Sequence, residues 1–155
     1  MPVAPKPKGY HDVTPYLIVP GVLKLLEFLQ KAFDAKVAER LTRPDGTVWH
    51  TEVKIGDSTV MMGEPTGRFG PMPSTLYLYV KNCDALYERA VNAGGVSVME
   101  PMDQPTGERY GGIRDPSGNI WWGATHIKDV SPDQVRFSKT IARKATGLKS
   151  TSRGT

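Results

Sequence analysis

The chain has one cysteine, Cys83, among 155 residues, so it cannot form an internal disulfide, which agrees with a reducing compartment. It has no apolar run approaching the length of a membrane span, and the Pro- and Lys-rich start MPVAPKPKGY lacks the apolar segment of a secretory signal. A cytoplasmic protein without a membrane partner is the expectation. Nor does the body of the chain carry charge of one sign. The net charge of +4 comes from the end, where residues 128–155 hold seven Lys/Arg and two Asp. The residues before them hold thirteen basic against fourteen acidic side chains. No helix-turn-helix, zinc-finger or RNP pattern accompanies this basic tail, so nucleic acid is not an expected partner. What is present is ordinary for a globular domain: 39% hydrophobic and 23% charged residues.

A repeat organises the chain. TPYLIVPGVLKLLEFLQKAFDAKV (14–37) aligns without gaps to TLYLYVKNCDALYERAVNAGGVSV (75–98), an offset of 61, with eight of 24 pairs identical. The same offset pairs Pro44 with Pro105 and Gly46 with Gly107. Such agreement marks a duplicated module. In each copy an alternating strand (13–19, 74–80) leads into a helix (21–33, 82–93) with apolar residues at helical spacing. Three strands follow, at 36–42, 47–55 and 58–63, then at 96–103, 109–114 and 119–125, punctuated by the turns PDGT, IGDS, PTGE and DPSG. The expected fold is α+β: two tandem βαβββ modules (12–63 and 74–126) forming curved mixed sheets around a groove, with the helices on the outer faces. Residues 1–11 read as a flexible leader. Residues 131–155 read as a basic helix, started by Ser131, Pro132 and Asp133, with a disordered end.

Strand alternation gives each sheet two characters. Leu76, Leu78 and Val80 share one face of the fifth strand, and Thr75, Tyr77 and Tyr79 share the other; Leu17 and Val19 oppose Thr14, Tyr16 and Ile18 in the first. The aliphatic side suits packing against a helix. The hydroxyl-bearing aromatic side suits a ligand groove.

The paired modules, together with GERYGGIRDPSGNIWWGATH and HTEVKIGDSTVMMGEP, resemble the vicinal oxygen chelate superfamily over about residues 12 to 130. That superfamily includes glyoxalase I, bleomycin-resistance proteins and extradiol dioxygenases, and the likeness is strongest to its PhnB-like branch. In its metal-dependent members, His, Glu or Gln ligands come from the first and last strands of each module. Carried over by position, these fall on Thr14, Met61, Thr75 and Trp122. Threonine is a poor donor to a transition metal, thioether prefers soft ions, and indole has no available lone pair. The resemblance therefore implies no metal at the inherited site and no cofactor.

His50 and Glu52 share a face of the third strand, a start for a metal site or a general base, although two residues are too few and Lys54 follows them. Arg109, beside Tyr110, is a candidate clamp for an acidic oxygen, set against an ion pair with Asp115 or Glu108 that fixes a turn. The reading that emerges is a small-molecule binder for an aromatic or conjugated ligand, using Tyr16, His50, Glu52, Met61, Thr75, Tyr77, Tyr79, Arg109, Tyr110 and Trp122. A homodimer is expected, because members of this family often complete their grooves with a partner chain. The alternatives are a metal-dependent lyase or dioxygenase with relocated ligands, or a metal-free enzyme with His50 as base.

Overall fold

A computed structural model describes residues 2–135. The first module contains β1 (Tyr16–Ile18), α1 (Val22–Phe33), β2 (Lys36–Thr42), β3 (Val48–Ile55) and β4 (Ser58–Gly63). The second contains β5 (Thr75–Tyr79), α2 (Cys83–Asn92), β6 (Val96–Asp103), β7 (Glu108–Arg114) and β8 (Ile120–His126). The strand orders are β1-β4-β3-β2 and β5-β8-β7-β6, one open four-stranded sheet per module. The first strand of each lies parallel to the last, and the other pairings are antiparallel. The twofold βαβββ expectation holds, as does the α+β class.

β1 is shorter than its alternating sequence suggests. It is an edge strand flanked by Pro15 and Pro20, which have no N–H for a ladder, so pairing is confined to Tyr16–Ile18. The helix starts differ between modules. Asn82 caps α2 by accepting the Ala85 N–H at 3.0 Å. α1 begins at Gly21 and has no such side chain in sequence. Glu64, just past β4, supplies the acceptor instead, taking the Gly21 and Val22 N–H groups at 3.1 and 2.7 Å where a carboxylate also suits the helix dipole.

Each helix covers the aliphatic face of its sheet, turned away from the polar-aromatic face, and the two helices meet. Arg89 of α2 donates twice to the Ala32 carbonyl near the end of α1, at 2.9 and 2.7 Å, satisfying an oxygen that the helix itself leaves unpaired. Phe33 packs against Trp121 with ring centroids 5.0 Å apart. One continuous core results, from Leu17, Val19, Phe28, Leu29, Val53 and Met62 through to Ala90, Ile113 and Trp121.

The DPSGN turn is a buried polar knot. Asp115 accepts from the Ser117 and Asn119 backbones, from the Asn119 amide and from the Trp121 indole, at 2.8–3.0 Å. No helix among the described residues is long and apolar enough to cross a membrane. At the end of the described chain, Pro132–Gln134 forms a single 3₁₀ turn in which the Ser131 N–H donates to the Gln134 side chain. Of the helix expected from Ser131 only this turn falls within the described residues; the remainder and the expected disordered end lie outside them.

The leader is tied to the body at its last residues. Tyr10 donates to buried Glu52, Lys54 donates to the Gly9 carbonyl at 2.9 Å, and the Lys54 ammonium stands 5.1 Å from the Tyr10 ring centroid.

Candidate functional site

Strand register assembles the residues of the polar-aromatic faces. In the first sheet Tyr16 pairs with Met61, Met61 with Glu52, and Glu52 with Glu39, giving one row across all four strands. In the second, Tyr77 pairs with Trp122, Trp122 with Gly112, and Gly112 with Met99. By strand position Tyr16 corresponds to Tyr77, Met61 to Trp122, Glu52 to Gly112 and Glu39 to Met99, so only the first pair is alike.

The second row is an aromatic surface. Tyr79 meets Tyr77 at 5.2 Å, Tyr77 meets Tyr110 at 5.8 Å, and Tyr110 meets Trp122 at 5.7 Å between centroids, all edge to face. Glu108 fixes two of these rings, accepting the Tyr77 and Tyr79 hydroxyls at 2.6 and 2.7 Å. The Tyr77 bond, then the Tyr79 bond, holds the Glu108 carboxyl below its ordinary value. Burial, together with the Glu108 bond, pushes the Tyr77 phenol well above its own.

The first row is a hydrogen-bonded chain. Glu52 is only 5% exposed, yet it accepts from Tyr10 on one oxygen and from His50 Nε2, at 2.9 Å, on the other. Burial raises its carboxyl, but the bonds from Tyr10 and His50 and the charge of Lys54 outweigh that and leave it below the ordinary value. An ionised carboxylate can only accept, so Nε2–H donates to it, and in the neutral imidazole this leaves Nδ1 as the acceptor. In that form Tyr16 donates its hydroxyl hydrogen to Nδ1, at 3.1 Å. The ordered sequence is Tyr16–His50–Glu52, with Tyr10 behind the carboxylate.

Glu39 alters the count at this place. The sequence offers two side chains of metal-binding type, and the structure brings a third, placing donor atoms of Glu39, His50 and Glu52 within 4.8 Å of one another. Strand alternation does not reveal it, because β2 has a register shift between Val37 and Glu39.

The four positions inherited by resemblance do not line one cavity. Thr14 and Thr75 border a cavity of about 450 Å³ between the β1 and β5 edges, floored by Leu17, Val60 and Trp121. Met61 and Trp122 instead pair with Tyr16 and Tyr77, two residues further along those strands. Oxygen from threonine or tyrosine, thioether and indole do not make a transition-metal donor set, so the residues present do not fit the family's metal.

Arg109 requires a correction. Its guanidinium is engaged bidentately by Asp84 of α2, at 2.8 Å to each oxygen, and by Asp103 at 3.0 Å. It lies on the helix-covered face and cannot clamp a ligand on the face that Tyr110 occupies. The partner is neither Asp115 nor Glu108. A second cavity, of about 290 Å³, was also not anticipated; Tyr16, Ile18, Arg43, Trp49, Gly63 and Phe69 are among the residues that line it.

Comparison with known proteins gives a consistent outcome. A family model described as the Glyoxalase/Bleomycin resistance protein/Dioxygenase superfamily matches residues 11–122. An uncharacterized protein of Mycobacterium bovis is 33% identical over 136 residues, covering 80% of this chain and 89% of its own length. Among solved structures, TioX from a Micromonospora species aligns with a TM-score of 0.62 at 20% identity, over 78% of this chain and 100% of its own. The PhnB protein from Bacillus cereus aligns with a TM-score of 0.60 at 18% identity, over 74% of this chain and 99% of its own. At these identities the structural likenesses speak for the fold.

Proposed function

The chain belongs to the Glyoxalase/Bleomycin resistance protein/Dioxygenase superfamily, and from that premise we propose that it is a small-molecule-binding protein that takes a planar aromatic or conjugated ligand on its polar-aromatic face. The observation that carries this reading is the edge-to-face run Tyr79–Tyr77–Tyr110–Trp122. Edge-to-face packing leaves ring faces available, and each offset stack with a ligand ring contributes about 0.5–1.5 kcal/mol beyond area burial. Substituting thioether and indole for charged ligands turns an oxygen-chelating place into an apolar platform.

A thermal-stabilisation screen of planar natural products and antibiotics, followed by calorimetric titration of a hit, tests it, because a specific ligand raises the melting temperature by mass action. Trp122→Ala is expected to weaken that hit about tenfold. Unchanged affinity would reduce Trp122 to a packing residue and remove the site from this face.

The exposure of Tyr16, Tyr77 and Tyr79 on the faces opposite the helices also favours a homodimer that covers them. Light scattering should then give twice the 17.0 kDa chain mass.

A second reading rests on Glu39, which makes the His50–Glu52 pair a set of three. It is a divalent cation held by Glu39, His50 and Glu52, with the metal-dependent chemistry of a lyase or dioxygenase. Calorimetry with zinc and manganese decides it: binding that is lost in both Glu39→Gln and His50→Gln supports the reading, and its absence from the wild-type protein removes it.

A further inference from the structure

The smaller cavity opens beside the free side of the Tyr16 hydroxyl. Trp49 and Phe69, 61% and 57% exposed, stand among its lining residues with Ile18, and Arg43 adds a cation. Gly63 keeps it open: a β-carbon there would lie 3.2 Å from the Tyr16 Oη and 2.5 Å from the Trp49 carbonyl oxygen. The direction of the hydrogen bonds in the first row determines what Tyr16 can offer to this space. Ionised Glu52 accepts from His50 Nε2–H; with the imidazole in its neutral form Nδ1 then accepts, and the one hydrogen of Tyr16 is spent on Nδ1. Tyr16 Oη is left with lone pairs only. A ligand that meets it must donate.

We propose that this cavity is a binding site for a planar hydroxyaryl compound whose hydroxyl donates to Tyr16 Oη. The aromatic body of the ligand lies against Trp49 and Phe69, and a second oxygen on the far side of the ring accepts from Arg43. Buried Glu52, held from behind by Tyr10, is the positioning residue that sets the polarity through His50. The site is on the first module and is independent of the Trp122 surface of the second. A volume of about 290 Å³ suits a ligand of one or two rings.

Two probes of nearly equal shape separate donation from stacking. Methyl 4-hydroxybenzoate carries the donor and keeps its proton at neutral pH, whereas methyl 4-methoxybenzoate lacks it. Each is titrated calorimetrically, with a chelator present, into the full-length wild-type protein, Tyr16→Phe, Trp49→Ala and Trp122→Ala. The wild type is expected to prefer the phenol by several-fold to about tenfold, the worth of one net hydrogen bond. Tyr16→Phe should erase that preference and leave the ether's affinity in place. Trp49→Ala, at an exposed position that folding does not require, should weaken both probes, and Trp122→Ala should change neither.

Failure of the wild type to bind the phenol, equal affinity for the two probes, or a preference that survives in Tyr16→Phe overturns the proposal. Loss of both probes in Trp122→Ala alone overturns it as well, by moving them to the second module; the aromatic-ligand reading given above would then stand without this site.

Discussion

Trp122 lies over Gly112 on the neighbouring strand, so closely that a β-carbon on the glycine would stand 2.5 Å from the indole ring. The first module has Glu52 at the corresponding place, where the carboxylate is occupied by Tyr10 and His50. A glycine in one row and a carboxylate in the other, like Trp122 against Met61 and Met99 against Glu39, give the two modules different surfaces. Gly112→Ala should force the rigid indole off its seat at a cost of about 1–3 kcal/mol, the usual range for overpacking. Urea denaturation measures that loss. Titration with a ligand from the thermal screen should show weaker binding in the same variant, because Trp122 no longer holds its edge-to-face place against Tyr110.

The Asp115 knot predicts a larger effect. Asp115→Ala removes the acceptor of the Trp121 indole, the Asn119 amide and two backbone N–H groups, all within a buried turn. A buried donor without a partner costs about 1–3 kcal/mol, so the variant should lose on the order of 3 kcal/mol or more in denaturant unfolding. A loss below about 1 kcal/mol would mean that water reaches the turn and replaces the carboxylate.

Arg109→Ala should separate stability from binding. Its pairs with Asp84 and Asp103 are substantially exposed, and solvent screening leaves such pairs little net contribution to stability. The variant should unfold slightly more easily and bind any aromatic ligand with unchanged affinity, since the guanidinium is on the helix-covered face. A loss of affinity of tenfold or more in calorimetry would return Arg109 to the ligand site.

Arg109 also shows where sequence reasoning stops. Alternation along β7 separates Arg109 from Tyr110, but it does not say which face meets α2, and Asp84 and Asp103 become neighbours only after the sheet has folded. The module order and the helices were readable, because periodicity and the 61-residue repeat are local or self-referential signals. Glu39 was hidden behind a register shift, and Tyr10 sits in a leader with no periodicity at all. Glu64, the cap of α1, lies 42 residues after the Val22 N–H it accepts. Each of these depends on contacts that strand register creates and no short window contains. The positions Thr14 and Thr75, carried over by resemblance, lie two residues before Tyr16 and Tyr77, the strand partners of Met61 and Trp122, a register that only the folded sheet displays.

Glu108 links the aromatic surface to pH. Its carboxyl is lowered, first by the Tyr77 hydroxyl and then by that of Tyr79; the Tyr79 phenol is raised chiefly by the same bond, and that of Tyr77 by burial first and then by its bond to Glu108. A depressed carboxyl contributes stability that is present above its unfolded value and is lost as pH falls through its folded value. The acid window therefore begins at the ordinary glutamate value and extends below it. A raised phenol contributes stability that is present below its unfolded value and is lost as pH rises through its folded value, so the alkaline window begins at the ordinary tyrosine value and extends above it. Between the two windows, wild type should exceed a Tyr77→Phe, Tyr79→Phe double variant in melting temperature. The difference should shrink toward both extremes. The comparison is of two melting-temperature profiles across pH, and a difference that stays constant into acid would show that Glu108 gains nothing from the two hydroxyls and that the rings are fixed by packing alone.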